Sequence, residues 1–130
     1  MPYLVDSDWL IDYQLEVPEA KKLVERLTEF GIAISVITYL EVYDGLVRRP
    51  DFVEVASKFE DFVDTIFLID ISREVARRCA HSRETLRNQG KRVRQRALDL
   101  LIAATALEHS LTLVTRNSDD YLDIPDLKLA

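Results

Sequence analysis

Four short apolar runs punctuate this chain: residues 3–6 around Tyr3-Leu4-Val5, then Ile32-Ala33-Ile34, Ile66-Phe67-Leu68-Ile69 and Leu111-Thr112-Leu113-Val114. Between them lie stretches whose apolar residues recur at helical period. Strands that alternate with helices in this way leave few folds open. The expected class is α/β, a central parallel sheet of four to five short strands with helices on both faces. The punctuation supports the reading. Asp8 to Tyr13 reads as a short helix, with Asp6 as one candidate for its cap and Asp8 the preferred one. Pro18 and Glu19 suit the first turn of a second helix that buries Ala20, Leu23, Val24 and Leu27, and Gly31 ends it. Ser35 caps a helix running through Leu46. Arg48-Arg49-Pro50 breaks the chain, and Asp51 caps a helix with Val53, Val55, Phe59, Phe62 and Val63. Ser72 begins a long helix that reaches toward Gly90. Arg96 to His109 is so apolar that it must be central. Leu127-Lys128-Leu129 is a candidate fifth strand. With 130 residues and no linker or repeat, one domain over 1–130 is expected.

Against this apolar frame, several acids are out of place. Asp6 ends the first strand. Glu41 interrupts an apolar helix. Asp99 is the only charge between Ala97 and Leu107, and Asp119-Asp120 follow the fourth strand. Carboxylates are seldom buried unless paired or bound to a cation. Parallel α/β sheets carry their sites at the carboxyl ends of strands, which is where Asp6 and Asp119-Asp120 fall. A shared pocket of oxygen ligands, of the kind Mg²⁺ or Mn²⁺ takes, is therefore expected.

Charge adds a second element. The net charge is −6, yet residues 73–96 hold nine of the 17 basic residues and only two acids, Glu74 and Glu84. Such a stripe is either a solvated helix face or the electrostatic footprint of a polyanion. The single cysteine, Cys79, excludes an intrachain disulfide, and no Cys/His zinc spacing exists. A cytoplasmic setting fits best. No segment has the length of a membrane span, and the first residues lack the basic region of a signal peptide. No Ser/His/Asp or Cys/His nucleophilic set assembles.

Four motifs, in order, carry a family resemblance. Tyr3-Leu4-Val5-Asp6-Ser7-Asp8-Trp9-Leu10-Ile11-Asp12 resembles the opening of PIN-domain nucleases. Ser35-Val36-Ile37-Thr38-Tyr39-Leu40-Glu41 through Gly45-Leu46 is similar to their second motif. Gly90-Lys91-Arg92 with Leu98-Asp99-Leu100-Leu101-Ile102-Ala103-Ala104-Thr105 resembles the third. Leu113-Val114-Thr115-Arg116-Asn117-Ser118-Asp119-Asp120-Tyr121 resembles the fourth. The match spans essentially the whole chain, at a size that fits the VapC-type toxins of toxin–antitoxin modules.

The resemblance implies a three-layer PIN-like fold and a Mg²⁺- or Mn²⁺-dependent endoribonuclease. Asp6, Glu41 and Asp99 would then form the metal-binding and catalytic core. Asp120 is expected as the fourth acid, with Asp119 close enough to compete. Asn117 stands where many relatives have Asp, and Tyr121 replaces the usual Phe. Ser7 and Thr115 would add hydroxyl contacts around the metal, its water or the phosphate. Arg83, Arg87, Lys91, Arg92, Arg94, Arg96 and Arg116 are the basic residues expected to meet RNA. A homodimer and a cognate antitoxin are implied as partners, with the apolar residues of 36–63 as a candidate surface. Two other readings compete. One is a haloacid-dehalogenase-like phosphatase with Asp6 as nucleophile and Asp8 as acid/base, although only five lysines are present and none follows a strand in an obvious motif. The other is a catalytically inactive PIN-fold binding module, against which stands the filling of all four acidic positions.

Overall fold

The computed structural model describes residues 2–130. Strands β1 (Tyr3–Val5), β2 (Ile32–Ser35), β3 (Phe67–Ile69) and β4 (Thr112–Val114) form one sheet, ordered β3-β2-β1-β4, with every pairing parallel. Leu4 stands in register with Ala33 on one side and Leu113 on the other. Side chains alternate faces along a strand, so these three point the same way. They join one core cluster with Val75, Cys79, Leu86, Leu100 and Ile102. Val5, Ile32, Ile34 and Val114 point the opposite way and join a second cluster with Leu10, Val24, Val42 and Phe59. Both faces are thus covered, which is why the strands read as continuous apolar runs rather than alternating ones. Each fully buried aliphatic side chain of this kind contributes about 1.5–3 kcal/mol relative to exposure.

The first face is covered by α5 (Arg73–Asn88) and α6 (Ala97–Glu108), the second by α1 (Ser7–Gln14), α2 (Pro18–Thr28), α3 (Val36–Leu46) and α4 (Phe52–Val63). Helix α6 is central, as its composition requires: Leu100, Ile102, Ala103, Ala104, Thr105 and Ala106 are all buried. Three of these are alanines, which let neighbouring backbones approach closely. Pro18 opens α2, and Gly31 follows that helix at φ 89°, a conformation that favours glycine. Ser35 Oγ accepts from Ile37 N at 3.0 Å, and Ser72 Oγ accepts from Val75 N at 3.1 Å, so both expected caps form. Among the described residues no helix is long and apolar enough to cross a membrane.

Three local expectations need correction. The fifth strand shrinks to a single parallel bridge between Leu113 and Leu129, held by Leu113 N to Lys128 O at 2.9 Å and Ala130 N to Leu113 O at 3.0 Å. Asp126, at φ 67°, turns the chain just before it could pair further. Asp51 sits at the start of α4 without capping it, because Arg49 claims both its carboxylate oxygens at 2.8 and 3.0 Å. Asp8 does not cap α1 either. Asp6 occupies that position with extended backbone and accepts from Ser7 N at 2.8 Å.

Candidate active site

The order β3-β2-β1-β4 fixes where a site belongs. The chain runs outward from β1 through β2 to β3, then returns to lay β4 against the other side of β1. The carboxyl ends of β1 and β4 therefore flank a topological switch point, the place where open α/β sheets bind ligands. Asp6 leaves β1 there and Thr115 leaves β4. Thr115 Oγ1 donates to Asp6 Oδ2 at 2.8 Å, while Asp6 Oδ1 takes the Ser7 amide. A carboxylate only 5% exposed is thereby held in one orientation from two strands.

Thr115 is itself braced. Its Oγ1 accepts from Asn117 N at 3.1 Å, and Asn117 Nδ2 donates to Asp8 Oδ2 at 2.8 Å. Asn117 thus ties the loop after β4 to the first turn of α1. This also occupies Asp8, the group that a phosphatase of the kind considered above would need free to move a proton. Trp9, in the same turn, carries the guanidinium of Arg116 at 4.0 Å from its ring centroid, and Arg116 pairs with Asp12.

Glu41 and Asp99 come to Asp6 from α3 and α6. Both are partly buried, and burial is the main reason that both carboxyls lie above their ordinary range. Charge repulsion adds to it. Asp6, Asp99 and Asp8 raise Glu41, against the helping hydroxyl of Ser7; Asp6 and Asp120 raise Asp99, against Tyr121 and Arg96. The charges of Asp6, Glu41 and Asp99, carried from β1, α3 and α6, thus act on one another. Of the two candidates for the fourth acid, Asp120 acts on Asp99, while Asp119 does not figure among the charges that do. Both are exposed, on the 3₁₀ turn Ser118–Tyr121.

The donors are all hard oxygens, with no thiolate or imidazole among them, and Glu41 Oε1 is buried with no hydrogen-bond partner. That set fits Mg²⁺ or Mn²⁺. Among the described residues, however, no three acid, histidine or cysteine side chains already close on one point as a ready cage for an ion.

The basic residues divide by occupation. Arg96 grips Asp123 with two nitrogens at 2.8 and 2.9 Å and also donates to the Asp120 carbonyl at 2.8 Å. Lys91 adds a contact to the same Asp123 at 2.9 Å, and the two cations hold that carboxyl well below its usual range. Arg87 lies 3.8 Å from Glu84. Arg83 is half-buried, its Nε without a partner. Arg92 and Arg94 are exposed and make no ion pair among the described residues. Sequence reading missed the clamp formed by Arg96 and Asp123, because Asp123 sits in an acidic tail with nothing local to mark it. Tyr121, noted only as a substitution, is 1% exposed, its hydroxyl is buried without a hydrogen-bond partner, and burial first, then the charges of Asp6, Asp99 and Glu41, push that hydroxyl well above its ordinary range.

Of the apolar residues in 36–63, Leu40, Val47 and Val53 are exposed, 54%, 50% and 81% respectively. Nearby, Ile11, Leu15, Val42, Leu46 and Val55 line a groove of about 250 Å³.

Comparison with known proteins places the chain in a family. The family profile described as PIN domain matches residues 3–126. Ribonuclease VapC2 of Rickettsia felis is 32% identical over 98 residues, covering 75% of this chain and 72% of that protein. The crystal structure of VapBC2 from Rickettsia felis bound to a promoter DNA fragment superposes with a TM-score of 0.86 at 26% identity, covering 100% of this chain and 98% of that one. A toxin–antitoxin complex from Klebsiella pneumoniae gives 0.75 at 30% identity, over 96% and 94% of the two chains. With the profile spanning nearly its whole length and a VapC relative at 32% identity, the chain belongs to the PIN-domain family, among the VapC ribonucleases.

Proposed function

We propose that this VapC-type ribonuclease is the toxin of a type II toxin–antitoxin module and hydrolyses RNA phosphodiester bonds in the cytoplasm, at the pocket of Asp6, Glu41 and Asp99, as one domain over 1–130. The observation that carries this reading is electrostatic. Three desolvated carboxylates repel one another at a switch point, and the guanidinium beside them, Arg96, is already engaged by Asp123. In its charged form such an arrangement is unfavourable unless a cation joins it. Asp6, Glu41 and Asp99 would hold Mg²⁺ or Mn²⁺, with Asp120 as the fourth acid at the exposed rim. Bound there, the ion supplies charge neutralisation for the scissile phosphate and a lowered pKa for the attacking water.

The chain's own residues prepare the rest. Ser7 and Thr115 fix the Asp6 oxygens, so this carboxylate need not reorganise when substrate arrives. Asn117 holds Thr115 in place for that task. Arg92 and Arg94, on the segment leading into α6, are the free cations best placed to meet an RNA backbone. Relatives solved as toxin–antitoxin complexes support a cognate antitoxin, for which the groove beside Ile11, Leu15 and Val55 offers an apolar seat. A homodimer is proposed as the toxin's own assembly. The test is Asp6→Asn, which keeps the size of the side chain but removes its charge and turns one accepting oxygen into a donor. Mg²⁺-dependent cleavage of RNA should fall by at least about 100-fold, a loss of about 2.7 kcal/mol of transition-state stabilisation. Retention of the parent rate would contradict the assignment.

A further inference from the structure

Phe30 stands where folding gives it little to do. It follows α2 with 61% of its surface exposed, and it meets Tyr3 edge-on, with ring centroids 6.4 Å apart. Both rings line a cleft of about 380 Å³ on the second face of the sheet, together with Trp9, Arg26, Val114 and Thr115. That volume lies within the roughly 300–1,000 Å³ of small-molecule sites. Thr115 is the residue whose Oγ1 donates to Asp6 Oδ2 at 2.8 Å, so one end of the cleft adjoins that acid. From there the cleft follows β1 back to Tyr3, a distance of about 10 Å at the usual rise of a strand. A nucleotide held at Asp6 therefore has the cleft within reach of its own base or its neighbour's.

The lining fits a planar aromatic group on an anionic backbone. Trp9 contributes an indole whose Nε1 is buried without an acceptor. A base edge brings the carbonyl oxygens and ring nitrogens that such a donor lacks. The guanidinium of Arg116, paired with Asp12, lies 4.0 Å from the indole centroid. Arg26, in the last turn of α2, is exposed and enters no ion pair among the described residues. Two guanidiniums thus accompany three aromatic rings. Unpaired RNA bases are bound in this way, stacked on aromatic side chains with arginines beside them. The groove beside Ile11, Leu15 and Val55 differs in kind, since no aromatic ring lines it. That groove suits an apolar protein segment, and this cleft suits a base.

We propose that the cleft is a base subsite: it seats one unpaired base of the RNA strand beside the phosphate cut at Asp6, stacked on Phe30, with Arg26 at the adjoining phosphate. The proposal rests on the cleavage site described above. It makes Phe30 and Arg26 determinants of RNA affinity outside both the acidic pocket and the basic stretch of 73–96.

Trp9 is the chain's only tryptophan, so its fluorescence reports the cleft without a label. The probes are a mixed-sequence single-stranded RNA and an abasic ribose-phosphate strand of equal length, each titrated in chelator. The RNA should quench Trp9 saturably, and the abasic strand should not. Phe30→Ala, at an exposed position, should leave the melting temperature unchanged. It should raise the dissociation constant of the RNA about 10-fold, within the range for a base stacked on an aromatic ring. In Mg²⁺ the same variant should raise KM for that RNA and leave kcat close to the parent's. Arg26→Ala, a second exposed variant, should weaken binding and make its salt dependence shallower by about one unit. Equal quenching by the two strands reduces the contact to charge and overturns the proposal. Equal RNA affinity in parent and Phe30→Ala also overturns it, and Mg²⁺-dependent cleavage by both would leave the cleavage site standing without the subsite. If Phe30→Ala keeps its RNA affinity but loses affinity for a cognate antitoxin, the cleft belongs to a protein partner and the proposal falls. A parent that neither binds nor cleaves the RNA overturns the cleavage site and the subsite together.

Discussion

Asp99 and Glu41 share a condition that has consequences for pH. Burial first, and neighbouring acids second, raise both carboxyls above their ordinary values of 3.8 and 4.5. A raised carboxyl binds more protons in the folded state than in the unfolded one. Its neutral form leaves stability intact below the unfolded value, and stability drains away as pH climbs through the raised folded value. In chelator, the melting temperature should therefore fall as pH rises above 4.5, and saturating Mn²⁺ should remove most of that fall by favouring the charged forms. Asp123 has the opposite sign: Arg96 and Lys91 lower it, so its contribution is lost only as pH drops below 3.8. A melting temperature that climbs through the upper window in chelator would contradict the strained pocket. On the same grounds Asp99→Asn should stabilise the metal-free protein by roughly 1 kcal/mol, while abolishing cleavage. Differential scanning calorimetry in chelator checks this, and a destabilised variant would sink it. Asp6, Glu41 and Asp99 stand out in the sequence as candidates because each puts a charge into an apolar run. Tyr121 does not, since a tyrosine in a polar turn gives no sign of where its hydroxyl ends. Nor does the cap of α1, because Asp6 and Asp8 are equally good candidates until the extended backbone of residue 6 is known.

At the scale of elements, caps and breakers located the helices well, and long-range pairs were invisible. Arg96 stands just before α6 and Asp123 follows the 3₁₀ turn that carries Asp120, 27 residues on. Their bond is bidentate, and both side chains are about four-fifths covered. It clamps the acid-bearing turn to the start of the helix that bears Asp99. Arg96→Ala should cost about 1.5–3 kcal/mol, the usual scale for hydrogen bonds to a charged group, and should lower cleavage by displacing Asp120. Chemical denaturation and single-turnover kinetics measure the two effects, and a variant with unchanged stability would argue against the clamp. The basic stretch of 73–96 thus splits in two, part structural and part free. Charge reversal at Arg92 and Arg94 should leave melting unchanged and weaken RNA binding. The salt dependence should also become shallower, by about one unit of slope for each phosphate no longer neutralised. Filter binding across a salt series would expose the error if the slope stayed the same.

For the whole molecule, alternating strands and helices made the layered parallel sheet legible, and the motif order made the family legible. Strand order was not. Nothing local says that β4 returns beside β1 rather than beyond β3, yet that return creates the switch point that unites Asp6 with Thr115. The expected fifth strand failed for a related reason: the segment at Leu129 has room for one bridge only, beyond the turn at Asp126. Site and fold are therefore inseparable. Sheet order sets the crevice, the loop after β4 braces Asp6 at its edge, and α3 and α6 carry the two acids proposed to complete the site. The most direct measurement is cleavage of RNA by the purified chain in chelator, in Mg²⁺ and in Mn²⁺, with Asp99→Asn prepared alongside. The account predicts fragments only with the divalent ion and only from the parent chain. Cleavage that persists in chelator, or that Asp99→Asn carries out at the parent rate, would contradict it.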